Sequence, residues 1–515
     1  MIKNIRRAIV ASCLLGCLCS HIAWAQKGRC CGKCDKAMPY RIFSLQTRSL
    51  ESSYTLPSDK IYLKPLSYYK GEVEIYGLKS RDYIDSYAVG KSRHDFSINL
   101  EAHHKLSNKS YTWGRASYSN EMRKSVMWNN SSDYDLIYPY IIVDSVGGNM
   151  KTETYSFLGG YATHIGKFTL GAEADYRAAV ASRHTDPRPL NIISDLKARI
   201  SLRRSITSRY GLSVGLEGGK YKQHSSIKLF GDKSRIRVHH YTGLGLVHSR
   251  YKADDANVYL SGYSWATKVA FTPGDTDGWM SCFSFGKEHI TKSLDENGNL
   301  QPFELLRTTV KASVGRSFRR GALRHYYMVE GIYAKTTGKE NLYGLPSTDK
   351  YPLIGSQEPY VHKQSLLSGL AACEYVTNQG MWEGTLKVAW EDQDEQYSAP
   401  FRQLGGDWLH VTVHPRYSLF AGKWTHRIGI KGMYRHTLTS NIILRNKEYS
   451  MSTNSIPELR YDRWQGSVLG ITLEGTSFVQ LKGGRLFLSP HYTFTRYAAV
   501  HSHTHEGGVT LGYVF

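Results

Sequence analysis

The sequence predicts an all-β chain folded as a single transmembrane antiparallel β-barrel of about 18 strands, within roughly 16 to 20. Three observations predict it. Apolar and polar residues alternate along one segment after another to the end of the chain, short and long polar connections alternate between those segments, and an export signal opens the sequence.

The export signal comes first in the chain. Lys3, Arg6 and Arg7 precede a short apolar stretch from Ala8 to Ser20, and Ala23-Trp24-Ala25 forms an A-x-A cleavage site before Gln26. Leu14-Leu15-Gly16-Cys17 also fits a lipoprotein signal, which would change the anchor and not the export. The stretch is shorter than the about 20 residues of a transmembrane helix. No long apolar run follows, and the mean hydropathy is −0.42, so a helical membrane protein is excluded. With 37 Tyr, 47 Gly and only 15 Pro, the composition suits a barrel whose lipid-facing and lumen-facing residues average to a polar sequence.

The expected organisation is a signal peptide over 1–25, a periplasmic N-terminal extension over 26–70 and the barrel over 71–515. The extension, with Pro39, Pro57 and Pro65, is too short for the plug domain of a TonB-dependent transporter.

Within the barrel the period is two. Phe168, Leu170, Ala172, Ala174 and Tyr176 share one face, and Lys167, Thr169, Gly171, Glu173, Asp175 and Arg177 the other. Leu196, Ala198, Ile200 and Leu202 alternate with Lys197, Arg199, Ser201 and Arg203. The same split places Arg416 opposite Val413 and Tyr417, and Arg427 and Lys431 opposite Ile428 and Ile430. A helix would scatter these residues around its circumference.

Short turns fall at Ser107-Asn108-Lys109, His164-Ile165-Gly166, Asn378-Gln379-Gly380, Ala421-Gly422-Lys423 and Lys482-Gly483-Gly484. Long polar connections are expected over 123–148, 336–362, 391–407 and 436–462, and the stretch 222–240 is ambiguous. Short periplasmic turns and long extracellular loops are the barrel rule. Tyr111, Trp113, Trp279, Trp382, Trp390, Trp408 and Trp424 lie near strand ends, as interfacial girdles require.

The last strand places Val509, Leu511, Tyr513 and Phe515 on one face and stops at Phe515. Here the chain resembles Gram-negative outer-membrane barrels, whose terminal aromatic residue is read by the barrel-assembly machinery. Its length, Tyr-rich strands and signal also resemble outer-membrane barrel families of Bacteroidota that have no assigned activity. The resemblance implies a location in the outer membrane, against lipid and lipopolysaccharide, and no chemistry.

The formal charge is +22. An exported chain without a recognition motif gives no reason to expect nucleic acid. The cations instead line an aqueous lumen and favour anions, face anionic lipid headgroups, or merely solvate the surface. Lys197, Arg199, Arg203, Arg416, Arg427 and Lys431 are the expected lumen set.

Two further clusters stand out. His501, His503 and His505 share one strand face about 6.5–7 Å apart at the expected extracellular end, as a site for a divalent metal or haem or as solvated surface histidines. Cys30, Cys31 and Cys34 follow the cleavage site, and Arg29 and Lys33 would lower their thiol pKa values. No second cysteine pair completes a zinc site. Asp254-Asp255 reads as a turn, and Glu391 to Glu395 as a solvated loop.

No G-x-S-x-G or H-E-x-x-H motif locates a catalytic centre, so no enzyme is expected. The leading expectation is a barrel that passes, or helps to pass, small solutes with an anion bias. The second is an accessory receptor whose loops bind metal, haem or a partner protein for a separate transporter. An outer-membrane hydrolase stands third.

Overall fold

The computed structural model describes residues 54–63, 67–83, 87–231, 238–252, 257–274, 277–295, 300–345, 351–447 and 452–515. The signal peptide, Cys30, Cys31, Cys34 and Asp254-Asp255 lie outside the described residues.

In chain order the strands are β1 (Tyr68–Ser80), β2 (Ser92–Lys105), β3 (Ser110–Val126), β4 (Ile142–Asp144), β5 (Gly148–Ile165), β6 (Phe168–Arg183) and β7 (Arg188–Ser205). There follow β8 (Tyr210–Lys228), β9 (Val238–Gly243), β10 (Leu246–Lys252), β11 (Asn257–Pro273), β12 (Gly278–Leu294), β13 (Leu300–Arg320) and β14 (Leu323–Tyr343). The last seven are β15 (Leu353–Val376), β16 (Gly380–Ser398), β17 (Phe401–Ala421), β18 (Trp424–Leu444), β19 (Val468–Leu481), β20 (Gly484–Tyr497) and β21 (Ser502–Val514). Helices α1 (Lys60–Leu63), α2 (Tyr134–Ile137) and α3 (Ser455–Trp464) complete the list of elements used below.

Eighteen strands form one closed antiparallel wall, each beside its neighbour in sequence. Strands β1 and β21 seal it, with Val73 opposite Leu511 and Ile75 opposite Val509. The remaining three, in the order β10-β9-β4, make a separate small sheet.

The alternation in the sequence becomes two faces. Ile428 and Ile430 are 66% and 54% exposed on the outside, whereas Arg427, on the opposite face of the same strand, is 6% exposed. Ile75, Leu100, Phe157, Ile200, Leu216, Tyr263, Val314, Leu473 and Leu511 extend that apolar outer belt around the wall. A water-soluble barrel has no reason to expose so many large side chains, and a hydrocarbon layer covers them.

Two of the four expected long connections, 336–362 and 391–407, are largely strand, whereas 123–148 and 436–462 are mainly connection. Strands β16 and β17 run to Ser398 and from Phe401, with Asp394 opposite Gly405 and Glu395 opposite Leu404. The acidic stretch from Glu391 to Glu395 is therefore part of the wall. The range 336–362 likewise contains the end of β14 and the start of β15. Strand β14 has 21 residues, about twice the ~9–11 needed to cross a membrane. Beyond the apolar belt a strand keeps its hydrogen-bond ladder and no longer needs an apolar face, so its polar sequence reads as loop.

The aromatic girdle holds in part. Trp279, Trp382 and Trp424 face outward, but Tyr111, Trp113 and Trp408 are buried inside. The ambiguous stretch 222–240 contains the end of β8 and the start of β9.

Candidate functional site

The lumen is occupied at both ends by segments of the chain itself. At the end with the short turns lies the segment 54–63, ahead of β1. Its seat is a row of small inward residues running across the wall. Ala162 on β5 faces Gly171 on β6, Gly171 faces Ser201 on β7, and Ser201 faces Gly215 on β8. A Cβ at Gly171 would collide with the backbone of Ser58, and one at Gly215 would meet the Leu56 side chain at 2.5 Å. Both glycines are required by this close approach.

Polar contacts hold the segment. Asp59 is fully buried, and Arg203 Nη1 donates to its Oδ1 at 2.6 Å. Ser213 Oγ donates to the same oxygen at 2.5 Å, and Ser58 N donates to Ser201 Oγ at 2.8 Å. Lys60 pairs with Glu173 and sits over the Trp113 ring, 4.4 Å from its centroid. Tyr54 and Leu56 pack with Ala270, Cys282, Tyr326, Met328 and Ala372.

One row further in, the wall carries a charge ladder. Trp113 Nε1 donates to Glu173 at 2.6 Å, Arg199 Nη1 to Glu173 at 2.7 Å and Arg199 Nε to Glu217 at 2.5 Å. Together with the segment, these residues border a cavity of 540 Å³.

The opposite end is closed by a cap. The connection from β3 to β5 contributes α2 and β4, that from β8 to β11 contributes β9 and β10, and that from β18 to β19 contributes α3. Ile137, Tyr138, Ile141, Ile142, Tyr241 and Leu244 of the cap form a hydrophobic core with Ile193, Tyr221, Phe303 and Tyr360 of the wall. This interior is apolar because the connecting segments bring their own apolar face to it.

Charged wall residues anchor the cap. Arg183 and Asp144, both fully buried, pair at 2.9 Å, and Arg460 pairs with Glu395 at 2.6 Å. Lys292 Nζ donates to the Tyr140 and Ile141 carbonyls at 2.8 and 3.3 Å. Arg402 donates to the carbonyls of Leu244, Arg445 and Asn446 and to Asn454 Oδ1. A second cavity of 540 Å³ lies beneath the cap, against Arg93, Glu121, Arg123, Asp133 and Arg177.

His248 on β10 gives the cap a pH dependence. It stacks on Tyr251 and meets the edge of Phe303, and burial lowers its pKa to about 4, helped by the charges of Arg250 and Lys292. The unfolded imidazole takes up its proton near its ordinary pKa, about 6.5, and the folded one only near 4. Between these values the unfolded cap binds more protons, so its stability falls as pH drops. Amide protection over 238–252, taken relative to the intrinsic exchange rate at each pH, is expected to fall from pH 6.5 to pH 4, and His248→Phe to remove most of that dependence.

Of the six expected lumen cations, four form ion pairs with buried or half-buried carboxylates. Arg199 pairs with Glu173 and Glu217, Arg203 with Asp59, and Arg416 and Arg427 both with Glu383 at 3.4 and 3.5 Å. Lys197 is 4.0 Å from Asp195, and Lys431 is exposed.

The structure divides the three histidines between a turn and a strand. His503 and His505 belong to β21, and His501 is in the turn before it. Tyr492 bonds His505 Nδ1 at 2.6 Å, and Phe494 packs on both His503 and His505. Among the described residues no group of three or more His, Cys, Asp or Glu side chains stands close enough to hold a metal ion. Tyr513 and Phe515 lie edge to face, 4.6 Å apart, beside the sealing strand.

Sequence reasoning missed Asp59, Lys60 and Arg402. A signal for the first two existed in the small inward residues Ala162, Gly171, Ser201 and Gly215. It becomes visible only once the register of four strands is known.

A family model described as a family of unknown function, DUF6850, matches residues 71–515. No curated protein matches the chain. Among solved structures it is similar to the siderophore receptor PiuA from Acinetobacter baumannii, at 8% identity and a TM-score of 0.37, covering 88% of this chain and 82% of that one. It is also similar to the ferripyoverdine receptor of the outer membrane of Pseudomonas aeruginosa, at 8% and 0.38, covering 88% and 72%. A mutant of the ferric enterobactin receptor PfeA from the same organism gives 7% and 0.35, covering 86% and 80%. Likeness at this level carries no functional information.

Proposed function

The chain belongs to the DUF6850 family, whose function is unknown, and from its geometry we propose that it is an outer-membrane barrel that passes small polar solutes through a lumen stoppered at both ends. The apolar outer belt supports the membrane location. The observation that carries the passage reading is the seat of the segment 54–63. A chain segment fills one mouth of the barrel, held by side chains without joining the wall as a strand, with a 540 Å³ cavity directly behind it. A stopper so held leaves the mouth without breaking any wall hydrogen bond.

In this reading the segment takes the place of a separate plug domain, and lipid, lipopolysaccharide and the assembly machinery are the surroundings of the barrel. The charges of Arg199 and Arg203 are met by carboxylates and do not favour anions while those partners stay in place, whereas Arg416 and Arg427 share the one carboxylate of Glu383. The receptor alternative has no assembled metal site among the described residues.

Planar-bilayer recording tests the passage reading. The intact protein is expected to be closed almost always, and the double variant Asp59→Ala, Arg402→Met to carry steady current. A double variant that folds and stays silent overturns the reading.

A further inference from the structure

We infer that the inner cavity behind the N-terminal segment is a binding chamber for an elongated organic anion with an acidic group at each end. The inference rests on the passage reading only for how such a ligand arrives. Its basis is the balance of partnered and unpartnered charge around the chamber.

Three carboxylates and four cations line it: Glu101, Glu173 and Glu217, with Lys60, Arg115, Arg199 and Lys268. The carboxylates are engaged. Glu173 takes Lys60, Trp113 and Arg199, and Glu217 takes Arg199. Glu101 lies directly across from Arg115 in the β2–β3 ladder, yet it accepts from Tyr68 at 2.6 Å and bonds His103 at 2.9 Å. Arg115 and Lys268 form no ion pair among the described residues. Among the described residues, therefore, two of the cations that face the chamber have no ion-pair partner, and the chamber's cations outnumber its carboxylates by one, so a bound anion finds charge-assisted partners there.

The placement of the two cations sets the shape of the ligand. Arg115 is on β3 and Lys268 on β11, which are five steps apart in the wall through β5, β6, β7 and β8. At ~4.8 Å per step that is about 24 Å along the wall, too far for one carboxylate to meet both side chains. Lys268 sits opposite Gly215, at the end of the small-residue row that seats the segment. Arg115 sits opposite Leu158, one row beyond Trp113. A ligand spanning them lies over the segment, with Leu158 and the Trp113 ring to pack its apolar middle. The volume of 540 Å³ falls within the range of roughly 300–1,000 Å³ for small-molecule sites.

Equilibrium dialysis of the refolded full mature chain in detergent, against labelled succinate, suberate, octanoate and maltotriose, tests this without requiring any current. Suberate is expected to bind at one site and more tightly than succinate or octanoate, with maltotriose not retained. Arg115→Gln and Lys268→Gln are each expected to weaken suberate about tenfold, about one charge-assisted contact. Suberate binding that neither variant changes overturns the inference, as does maltotriose binding equally well. Current through the double gate variant without suberate binding removes this inference and leaves the passage reading standing. Suberate binding with a silent double variant does the reverse.

Discussion

Trypsin is expected to cut after Lys60 about a hundredfold faster in an Asp59→Ala variant than in the native protein. Asp59 and Arg203 are 0% and 1% exposed, and the guanidinium that remains would be buried beside Thr272 and the Tyr62 ring with no carboxylate. Breaking a buried pair from one side costs about 3–5 kcal/mol, because the stranded charge keeps its desolvation penalty. The wall cannot relieve that cost without disturbing β7, whereas the segment can leave and admit water to Arg203. About 3 kcal/mol corresponds to roughly a hundredfold rise in the open population, and cleavage tracks that population when reclosing is fast. The product is a barrel beginning at Ile61, read by terminal sequencing. The double variant Asp59→Leu, Arg203→Met replaces the pair by apolar side chains and is expected to restore protection. Unchanged cleavage in Asp59→Ala would show that the segment is held by Tyr54 and Leu56 instead.

That dependence on a few buried polar contacts is also why the segment was illegible in the sequence. The wall was legible because its period is local. Leu196, Ala198, Ile200 and Leu202 declare a face within one strand, and the structure keeps every one of those faces. The contents of the lumen follow no local rule. Asp59 reads as a surface residue in a Pro-containing extension, and only its placement beside Arg203, 144 residues later, buries it. The same holds for Arg402, whose partners come from the turn between β9 and β10 and from the connection after β18. Lumen cations could be placed on the inner face by parity, but parity says nothing about whether a carboxylate stands beside them. Arg427 shows the difference: parity put it inward, and its pairing with Glu383 was not readable. The ring positions of the histidines at 501, 503 and 505 were illegible for a related reason. Equal spacing on one strand face is set by the backbone, and Phe494 and Tyr492 on the next strand decide where the rings go.

Arg402→Met is expected to loosen the cap by about 3 kcal/mol while leaving the wall intact. The guanidinium is fully buried and serves four acceptors, the carbonyls of Leu244, Arg445 and Asn446 and the side chain of Asn454. A buried acceptor left without a donor costs about 1–3 kcal/mol, and methionine keeps the volume of the stem while removing all the donors. Faster amide exchange across β9, β10 and α3, with β17 itself unchanged, is the expected reading. Lys447→Met is the contrast within the same cap, because it breaks the exposed pair with Glu458 and is expected to cost less than about 1 kcal/mol. The two closures share no residue: one is held by Asp59 on the β7 and β8 side, the other by Arg402 on β17. Independent sites add in free energy and so multiply in population. If each single variant opens its own end about a hundredfold more often, the double variant opens both ends together about ten-thousandfold more often. Current in the double variant should therefore exceed that in either single variant by about two orders of magnitude. An increase no larger than that of one single variant would mean that only one end of the lumen is a closure.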